Sequence, residues 1–319
     1  MDEFELIKNY FQKLSKKSPS ALNLNDDVFF DKKNKLVVSI DTYIEGNHFI
    51  DFKKPDLVIK KIIRSSISDL ICKGVQPKYY FVSGSGNKKS FSKLNLSKIS
   101  KSLNQEQKKY QIFLSGGDTV FSNKLSFTIT SIGFAKNIIF RNKAKIDDDI
   151  YVSGNLGDSY LGLLALKNKI KLNRSLNKYF TNCYYMPNIQ LELVSHIKKF
   201  ANTAIDISDG LLADLSKMIN NQKVSYKIYL KDIPISSNLK KILDQKKLPK
   251  IKYISNGDDY QVLFTASKNK RGIVKKISKN YRIKLTKIGS IQAVNKRSLI
   301  VDHKNHKISL KNKGYFHLF

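Results

Sequence analysis

The sequence predicts an α+β protein of two domains, on three observations. The chain has 319 residues, enough for two domains that each bury a core. Apolar runs of strand length interleave irregularly with segments of helical periodicity. A charged turn over 143–149 separates two such series, so the expected domains are residues 1–145 and 146–319. With 41% hydrophobic residues the composition is globular rather than disordered.

Phe4, Ile7, Phe11 and Leu14 stand at helical spacing and predict an amphipathic helix over 4–14. A polar loop with Asn25-Asp26-Asp27 leads into Val28-Phe29-Phe30. Residues 35–40 read as a buried strand ending at Asp41, and 42–49 continue as a loop or second strand. Pro55 is a favourable first helical residue. From there Leu57, Val58, Ile62, Ile63, Ile67, Leu70 and Ile71 mark a long helix that Gly74 stops. Residues 78–82 form a strand, 96–110 a lysine-rich helix, and 111–114 a short strand delivering the loop Ser115-Gly116-Gly117-Asp118. Residues 124–134 alternate as a further strand. In the second half, 150–153 start a strand, Gly157-Asp158-Ser159 opens a helix, and 204–210 are a strand and turn before a helix over 211–219. Further strands are expected near 226–230 and 261–265.

The formal net charge of +32 raises nucleic-acid binding as a reading. Arginine, which base-edge and bidentate phosphate recognition favours, is confined to Arg64, Arg141, Arg174, Arg271, Arg282 and Arg297. The lysines are scattered with asparagine and isoleucine over every segment, a pattern that an A+T-rich genome produces by itself. No specific nucleic-acid partner is therefore expected, though a positive surface speeds encounter with anionic substrates. No apolar stretch is long enough to span a membrane, and the acidic start Met1-Asp2-Glu3-Phe4 lacks the basic region of a signal peptide. Cys72 and Cys183 give no disulfide framework, so a reducing cytoplasm is expected.

Aspartates recur in Asn25-Asp26-Asp27, Ser39-Ile40-Asp41, Ser68-Asp69, Gly116-Gly117-Asp118, Asp206-Ile207-Ser208-Asp209-Gly210 and Gly257-Asp258-Asp259. Each group ends an apolar run or adjoins glycine, where loops expose side chains. Brought together, they make a cage of hard oxygen ligands that repels itself unless cations hold it. Mg2+ bridging carboxylates to substrate phosphates is the usual solution, so a phosphoryl-transfer site is expected. Asp69 sits in the last turn of its helix, where free carbonyls already set a negative potential. A metal ion offsets that cost; the alternatives are a solvated aspartate or a pair with Lys73. Gly116 and Gly117 let backbone N–H groups approach a phosphate, although glycine-aspartate is also a common turn. Ser208 or Asp209 can cap the helix from Leu211, and the same helix start suits an anion. There is no Walker loop, kinase catalytic loop, zinc spacing around His48 or nucleophile elbow. Tyr315 and Phe316 are a packing anchor or a stacking surface for a substrate ring.

Taken in order, these segments resemble the thiamine-monophosphate kinase family, in the superfamily of aminoimidazole ribonucleotide synthetase and selenophosphate synthetase. The resemblance runs from Glu3-Phe4-Glu5-Leu6-Ile7 through Glu45-Gly46-Asn47-His48-Phe49, Arg141 with Ala144-Lys145, and Tyr151-Val152-Ser153-Gly154 to Gly314-Tyr315-Phe316-His317. It implies an aminoimidazole ribonucleotide synthetase-like fold and ATP- and Mg2+-dependent phosphorylation of thiamine monophosphate to thiamine diphosphate by direct in-line transfer. Implied metal ligands are Asp27, Ser39, the Ile40 carbonyl, Asp41, Asp69, Asp118, Asp206 and Asp209. Asp27, Gly117, Asp118, Arg141 and Ser208 are implied at ATP, and His48, Asp258 and Tyr315 at thiamine monophosphate. A homodimer joined through the N-terminal sheets is also implied.

The chain departs from the family pattern at several positions. Asn25 stands for a usual glycine, Asp258 and Gln261 for glutamates, and Cys72-Lys73 for a small or apolar pair. Selenophosphate synthetase calls for a reactive cysteine near the N-terminus and the carbamoyl-dehydratase relative for a C-terminal one; neither is present. Residues 45–49 and the Gly-Tyr-Phe-His ending favour the thiamine enzyme over aminoimidazole ribonucleotide synthetase.

Overall fold

The computed structural model describes residues 3–302, 304–308 and 314. The chain opens with α1 (Glu3–Leu6), a π-helical turn at Ile7–Phe11 and 3-10 turns at Leu14–Lys17 and Pro19–Leu24, instead of the single helix expected over 4–14. Tyr10, Phe11 and Leu14 are exposed, so packing among the described residues does not select a continuous amphipathic helix.

The first sheet uses β1 (Phe29–Asp31), β2 (Leu36–Ile44), β3 (Pro77–Gly86), β4 (Phe113–Phe121) and β5 (Ser126–Phe134), in the order β1-β2-β5-β3-β4. All its pairings are antiparallel except β3 with β4. Long helices α2 (Pro55–Cys72) and α3 (Lys93–Tyr110) belong to this half. The other face of the sheet is bare, with Ile40, Phe81, Phe113 and Val120 exposed, Ile40 to 67%.

The Gly116-Gly117-Asp118 segment, expected as a loop after a short strand, lies inside β4, which pairs with β3 as far as Phe121. A register shift between Tyr80 and Phe81 leaves Ser115 as the extra residue, and Gly116, paired with Phe81, has a φ of 152° that favours glycine. At Gly117 a β-carbon would stand 1.9 Å from the Val82 carbonyl oxygen, so glycine is what lets β3 and β4 meet there.

The second half holds β6 (Asp149–Ser153), α4 (Asp158–Leu166), α5 (Arg174–Tyr185), α6 (Val194–Ile197), β7 (Ala201–Asp206), α7 (Leu211–Met218) and β8 (Val224–Tyr229). It continues with α8 (Ser237–Lys246), α9 (Lys250–Ile254), β9 (Val262–Ala266), α10 (Arg271–Asn280), β10 (Leu285–Ala293) and β11 (Leu299–Val301). Its sheet runs β11-β8-β10-β6-β9-β7, antiparallel but for β11 with β8. Ile150, Val152, Ile205, Leu211, Leu215, Leu263 and Ile288 form its own core. Two mixed sheets with helices packed on them make the class α+β. Among the described residues no helix is long and apolar enough to cross a membrane.

Helix α2 joins the halves. Pro55 starts it and Gly74, with φ 68°, turns the chain out of it. Ile59, Ile62, Ile63 and Ile67 share one apolar core with Tyr80, Phe127 and Ile129 of the first sheet and with Tyr184, Phe200 and Phe264 of the second half. Being buried all round, the helix must pair its polar residues inside the protein. Arg64 meets both carboxylate oxygens of Glu106 on α3, at 2.8 and 3.0 Å, and both residues are buried.

Arg64→Met leaves Glu106 charged and unpartnered in this core and should cost roughly 3–5 kcal/mol in urea unfolding. Adding Glu106→Met should recover most of that loss. A single mutant within about 0.5 kcal/mol of wild type would contradict the pairing.

Candidate active site

The end of α2, the end of β7 and the middle of β2 meet at the junction of the two halves. Strand β2 alternates, so Ser39, Asp41 and Tyr43 point toward α2 while the Ile40 side chain, 67% exposed, points to the bare face. Ser39 donates to the Ser66 carbonyl at 3.3 Å, and the Tyr43 hydroxyl donates to Asp41 at 3.4 Å. Asp206 closes β7 and accepts a short hydrogen bond from Ser68 of α2. Asp69 follows in the last turn of that helix. Among the described residues no Lys, Arg or His nitrogen lies within 4.0 Å of the carboxylates of Asp41, Asp69 or Asp206.

Their protonation reports the crowding. Burial, then the charge of Asp206, pushes Asp41 up to about 7. Burial raises Asp206, the Ser68 hydrogen bond opposes it, and the charges of Asp27 and Asp209 add, leaving about 7. Asp69 is held well above the usual carboxylate range by burial and then by Asp41 and Asp206. Among the described residues no three His, Cys, Asp or Glu side chains already stand close enough to hold an ion by themselves. Mg2+ takes one or two carboxylates and fills its shell with water and phosphate oxygens, so this uncompensated, hard-oxygen donor set fits such partial ligation.

The other aspartates have partners. Lys73, fully buried, stands 2.7 Å from Asp26 Oδ1 and 2.7 Å from Asp27 Oδ2 and does not pair with Asp69. Arg141 reaches Asp27 Oδ1 at 3.1 Å and is fixed by donating to the Lys217 carbonyl. Burial pushes Asp27 up, but Lys73 and Arg141 outweigh it and hold the carboxyl at about 2. Asp209 is paired with Lys217. The cap of α7 is neither Ser208 nor Asp209: Asp214, inside the first turn, accepts the Asp209 and Gly210 N–H groups at 3.0 Å each. That frees the half-buried Ser208 side chain from capping.

Asp258 lies opposite. Its loop interlocks with the one after β7, because Asp258 N–H donates to the Ser208 carbonyl at 2.8 Å and Tyr260 N–H to the Ile207 carbonyl at 2.8 Å. A β-carbon at Gly257 would stand 2.0 Å from the Ser208 oxygen. Asp258 Oδ1 is 2.5 Å from Nζ of the buried Lys61 and accepts from the Tyr260 hydroxyl at 3.2 Å. Lys61 Nζ sits 3.8 Å from the Tyr184 ring centroid, and the Tyr184 hydroxyl donates to the His48 carbonyl at 3.2 Å. His48 Nδ1 accepts from Ile44 N–H at 3.0 Å, which places a neutral ring's proton on Nε2. His48 and Asp258 thus share one neighbourhood, and the Tyr43 ring, edge-on to His48, links it to Asp41. Asp259 has a different task, accepting Gly157 N–H with both oxygens at 3.0 and 2.9 Å.

Gly117 and Asp118 stand apart within one chain. Asp118 is in register with Ser83, Thr128 and Thr42, three strand spacings or about 14 Å from β2, in the row that faces away from α2. Tyr315 lies outside the described residues. Gly314 packs on Ala213 and the Asp209 carbonyl, where a β-carbon would stand 2.4 and 2.9 Å away. The sequence alone does not single out Lys61 or Asp214, and it marks Lys73 only as a partner for Asp69 and, with Cys72, as a departure from the family pattern. The available signal was a lysine on the apolar stripe of α2, at the helical spacing of Val58 and Ser65.

The N-terminal and C-terminal domain profiles of the AIR synthase related proteins match residues 24–135 and 145–302. The chain is 34% identical to the thiamine-monophosphate kinase of Buchnera aphidicola over 99% of this chain and 98% of that one. It is 33% identical to the thiamine-monophosphate kinase of Haemophilus influenzae, covering 91% and 89%. A solved structure of AaThiL complexed with AMPPCP and TMP superposes with a TM-score of 0.85 at 26% identity, covering 99% of this chain and 97% of that one.

Asp41 and Asp206 hold protons more tightly when folded than unfolded. The folded state therefore binds the extra protons from the ordinary carboxylate range up to about pH 7, and stability falls across that window before levelling. Thermal unfolding in EDTA should give a lower Tm at about pH 7.5 than at about pH 5.5, and Mg2+ should raise Tm more at the higher pH. A Tm in EDTA that rises over this interval would count against the crowded centre.

Proposed function

The chain belongs to the thiamine-monophosphate kinase family of the AIR synthase related proteins, and on that footing we propose that it transfers the γ-phosphoryl group of ATP to thiamine monophosphate. The observation that carries this reading is the uncompensated carboxylate centre of Asp41, Asp69 and Asp206, built from three elements of both halves. Mg2+, when bound, would neutralise phosphate charge in a loose transition state. Asp41, Asp69 and Asp206, with Ser39 and the Ile40 carbonyl, would hold it; Asp209 and Asp27, which the family resemblance also implies as ligands, are paired with cationic side chains in this structure. Ser208 and Arg141 border the nucleotide side.

His48, Asp258 and, from the chain end, Tyr315 form the thiamine monophosphate side. Lys61 fixes one oxygen of Asp258 and leaves the part-exposed carboxylate to face the substrate. The protein's part in the reaction is to align an acceptor phosphate oxygen with the γ-phosphorus and to exclude water. That oxygen is ionised near neutral pH, so no strong general base is needed.

A homodimer completes the reading. The bare face of the first sheet is a surface of the kind that a second copy covers. Asp118 and Gly117 lie on its far edge strand, too distant from Asp41 of their own chain to share an ion, so in this reading they serve the partner's centre. The two unpaired cysteines, Cys72 and Cys183, accord with the reducing cytoplasm expected for such an enzyme.

The test is thiamine diphosphate formation from thiamine monophosphate and ATP with and without Mg2+, with the aminoimidazole ribonucleotide precursor as a parallel substrate. Product from thiamine monophosphate only with metal is expected; turnover of the purine precursor instead would move the chain to the sister enzyme. Asp69→Asn should lower turnover by roughly 100-fold or more while leaving Tm in EDTA equal or higher, since it removes repulsion. Val120→Lys should give a monomer by light scattering, with native circular dichroism and little activity; an active monomer would sink the dimeric site.

A further inference from the structure

The charges of the acidic site divide unevenly. Asp26 and Asp27 face Lys73 and Arg141, two carboxylates against two cations, all within 3.1 Å. Asp41, Asp69 and Asp206 face no cationic side chain within 4.0 Å among the described residues. Lys73 is the unusual member, because it is fully buried and its ammonium stands among three oxygens: Asp26 Oδ1 and Asp27 Oδ2 at 2.7 Å and the Ala204 carbonyl at 3.0 Å. Those are the donor types that a hard cation takes, gathered from the loop before β1 and from β7.

The ammonium is also anchored. Lys73 follows directly on α2, where its N–H donates to the Asp69 carbonyl at 3.3 Å and its own carbonyl accepts Ile139 N–H at 3.1 Å. The charge is therefore delivered by the rigid end of the helix rather than by a mobile surface side chain. Asp26 is held from its other side by Arg141 N–H at 2.9 Å, so the corner is built from both halves around one cation.

We propose that Lys73 is a tethered counter-ion for the Asp26–Asp27 corner, taking the place of a divalent ion there, so that metal binds in this chain at the Asp41, Asp69 and Asp206 centre and not at Asp27. The inference rests on the reading of that centre as a Mg2+ site. It makes Lys73 a positioning residue, which fixes Asp27 and Arg141 beside the nucleotide without touching substrate.

The test counts bound Mn2+ by electron paramagnetic resonance without nucleotide, in wild type, Lys73→Met and Asp27→Asn, and records Tm in EDTA and in Mg2+. Lys73→Met should bind about one more ion per chain than wild type and should lose Tm in EDTA but regain it in Mg2+. Asp27→Asn should keep the wild-type count, which serves the proposal even if Lys73→Met folds only with metal. A Lys73→Met count equal to wild type, or an Asp27→Asn count lower by an ion, would overturn it. A wild type that binds no Mn2+ would instead remove the metal-site reading, and this proposal with it.

Discussion

The structure depends on a helix that is buried on every side and yet carries charge along its length. A helix so placed has no water to solvate Lys61, Arg64, Ser68 or the Lys73 that follows it, and each finds an oxygen instead: Asp258, Glu106, Asp206, and the pair Asp26 and Asp27. The partners come from both halves of the chain. Satisfying α2 therefore also fixes how the halves meet, a specificity that apolar packing alone supplies less sharply. Replacing such pairs wholesale with apolar residues often costs little, whereas breaking one side is expensive. Asp69 is the member of the series without a cationic partner within 4.0 Å among the described residues, at the end of the helix where the backbone is already negative. A fold that pairs the buried cations of α2 with carboxylates and leaves one carboxylate centre without a cation marks that centre as the working site.

The loops that face α2 are held by equally local means. The turn after β7 and the turn before β9 exchange backbone hydrogen bonds, and Gly257 permits their contact. Asp258 and Tyr260 adopt φ of 61° and 49°, a region that non-glycine residues enter at a cost. The hydrogen bonds of Asp259 to Gly157 and of Tyr260 to Ile207 hold that conformation in place. The result is that Ser208 and Asp258, far apart in sequence, sit on one rigid unit.

Much of this was legible in the sequence where local chemistry decides the outcome. Pro55, the apolar spacing through Ile71 and Gly74 mark α2 because each acts within a few residues. The short helices α5, α8 and α10 and strand β10 were not read. In α10 the buried stripe is only Val274 and Ile277 among lysines, too thin to stand out. Helical periodicity predicts a helix near the N-terminus, yet Tyr10, Phe11 and Leu14 of that stripe stay exposed, so burial does not hold it in one continuous helix. Glycines signal turns, so Gly116-Gly117-Asp118 reads as a loop in the sequence, and only the neighbouring β3 makes it strand. Lys61 and Lys73 were hidden by abundance: in a chain with 58 Lys and Arg residues, a buried lysine looks like any other.

The same abundance separates two electrostatic scales. Surface lysines act over about 8–10 Å of salty water before they are screened, so the charge of +32 gathers polyanions toward the molecule but cannot neutralise a buried carboxylate. Lys73, Arg141 and Lys217 act inside the protein at contact distance, where little screening intervenes. They quiet the aspartates on either side of the centre and leave Asp41, Asp69 and Asp206 to repel one another. A cation drawn to this site therefore meets one strong position rather than a diffuse acidic patch. The same partition keeps a highly acidic pocket compatible with a phosphate-bearing substrate, since the flanking carboxylates no longer present net negative charge to it.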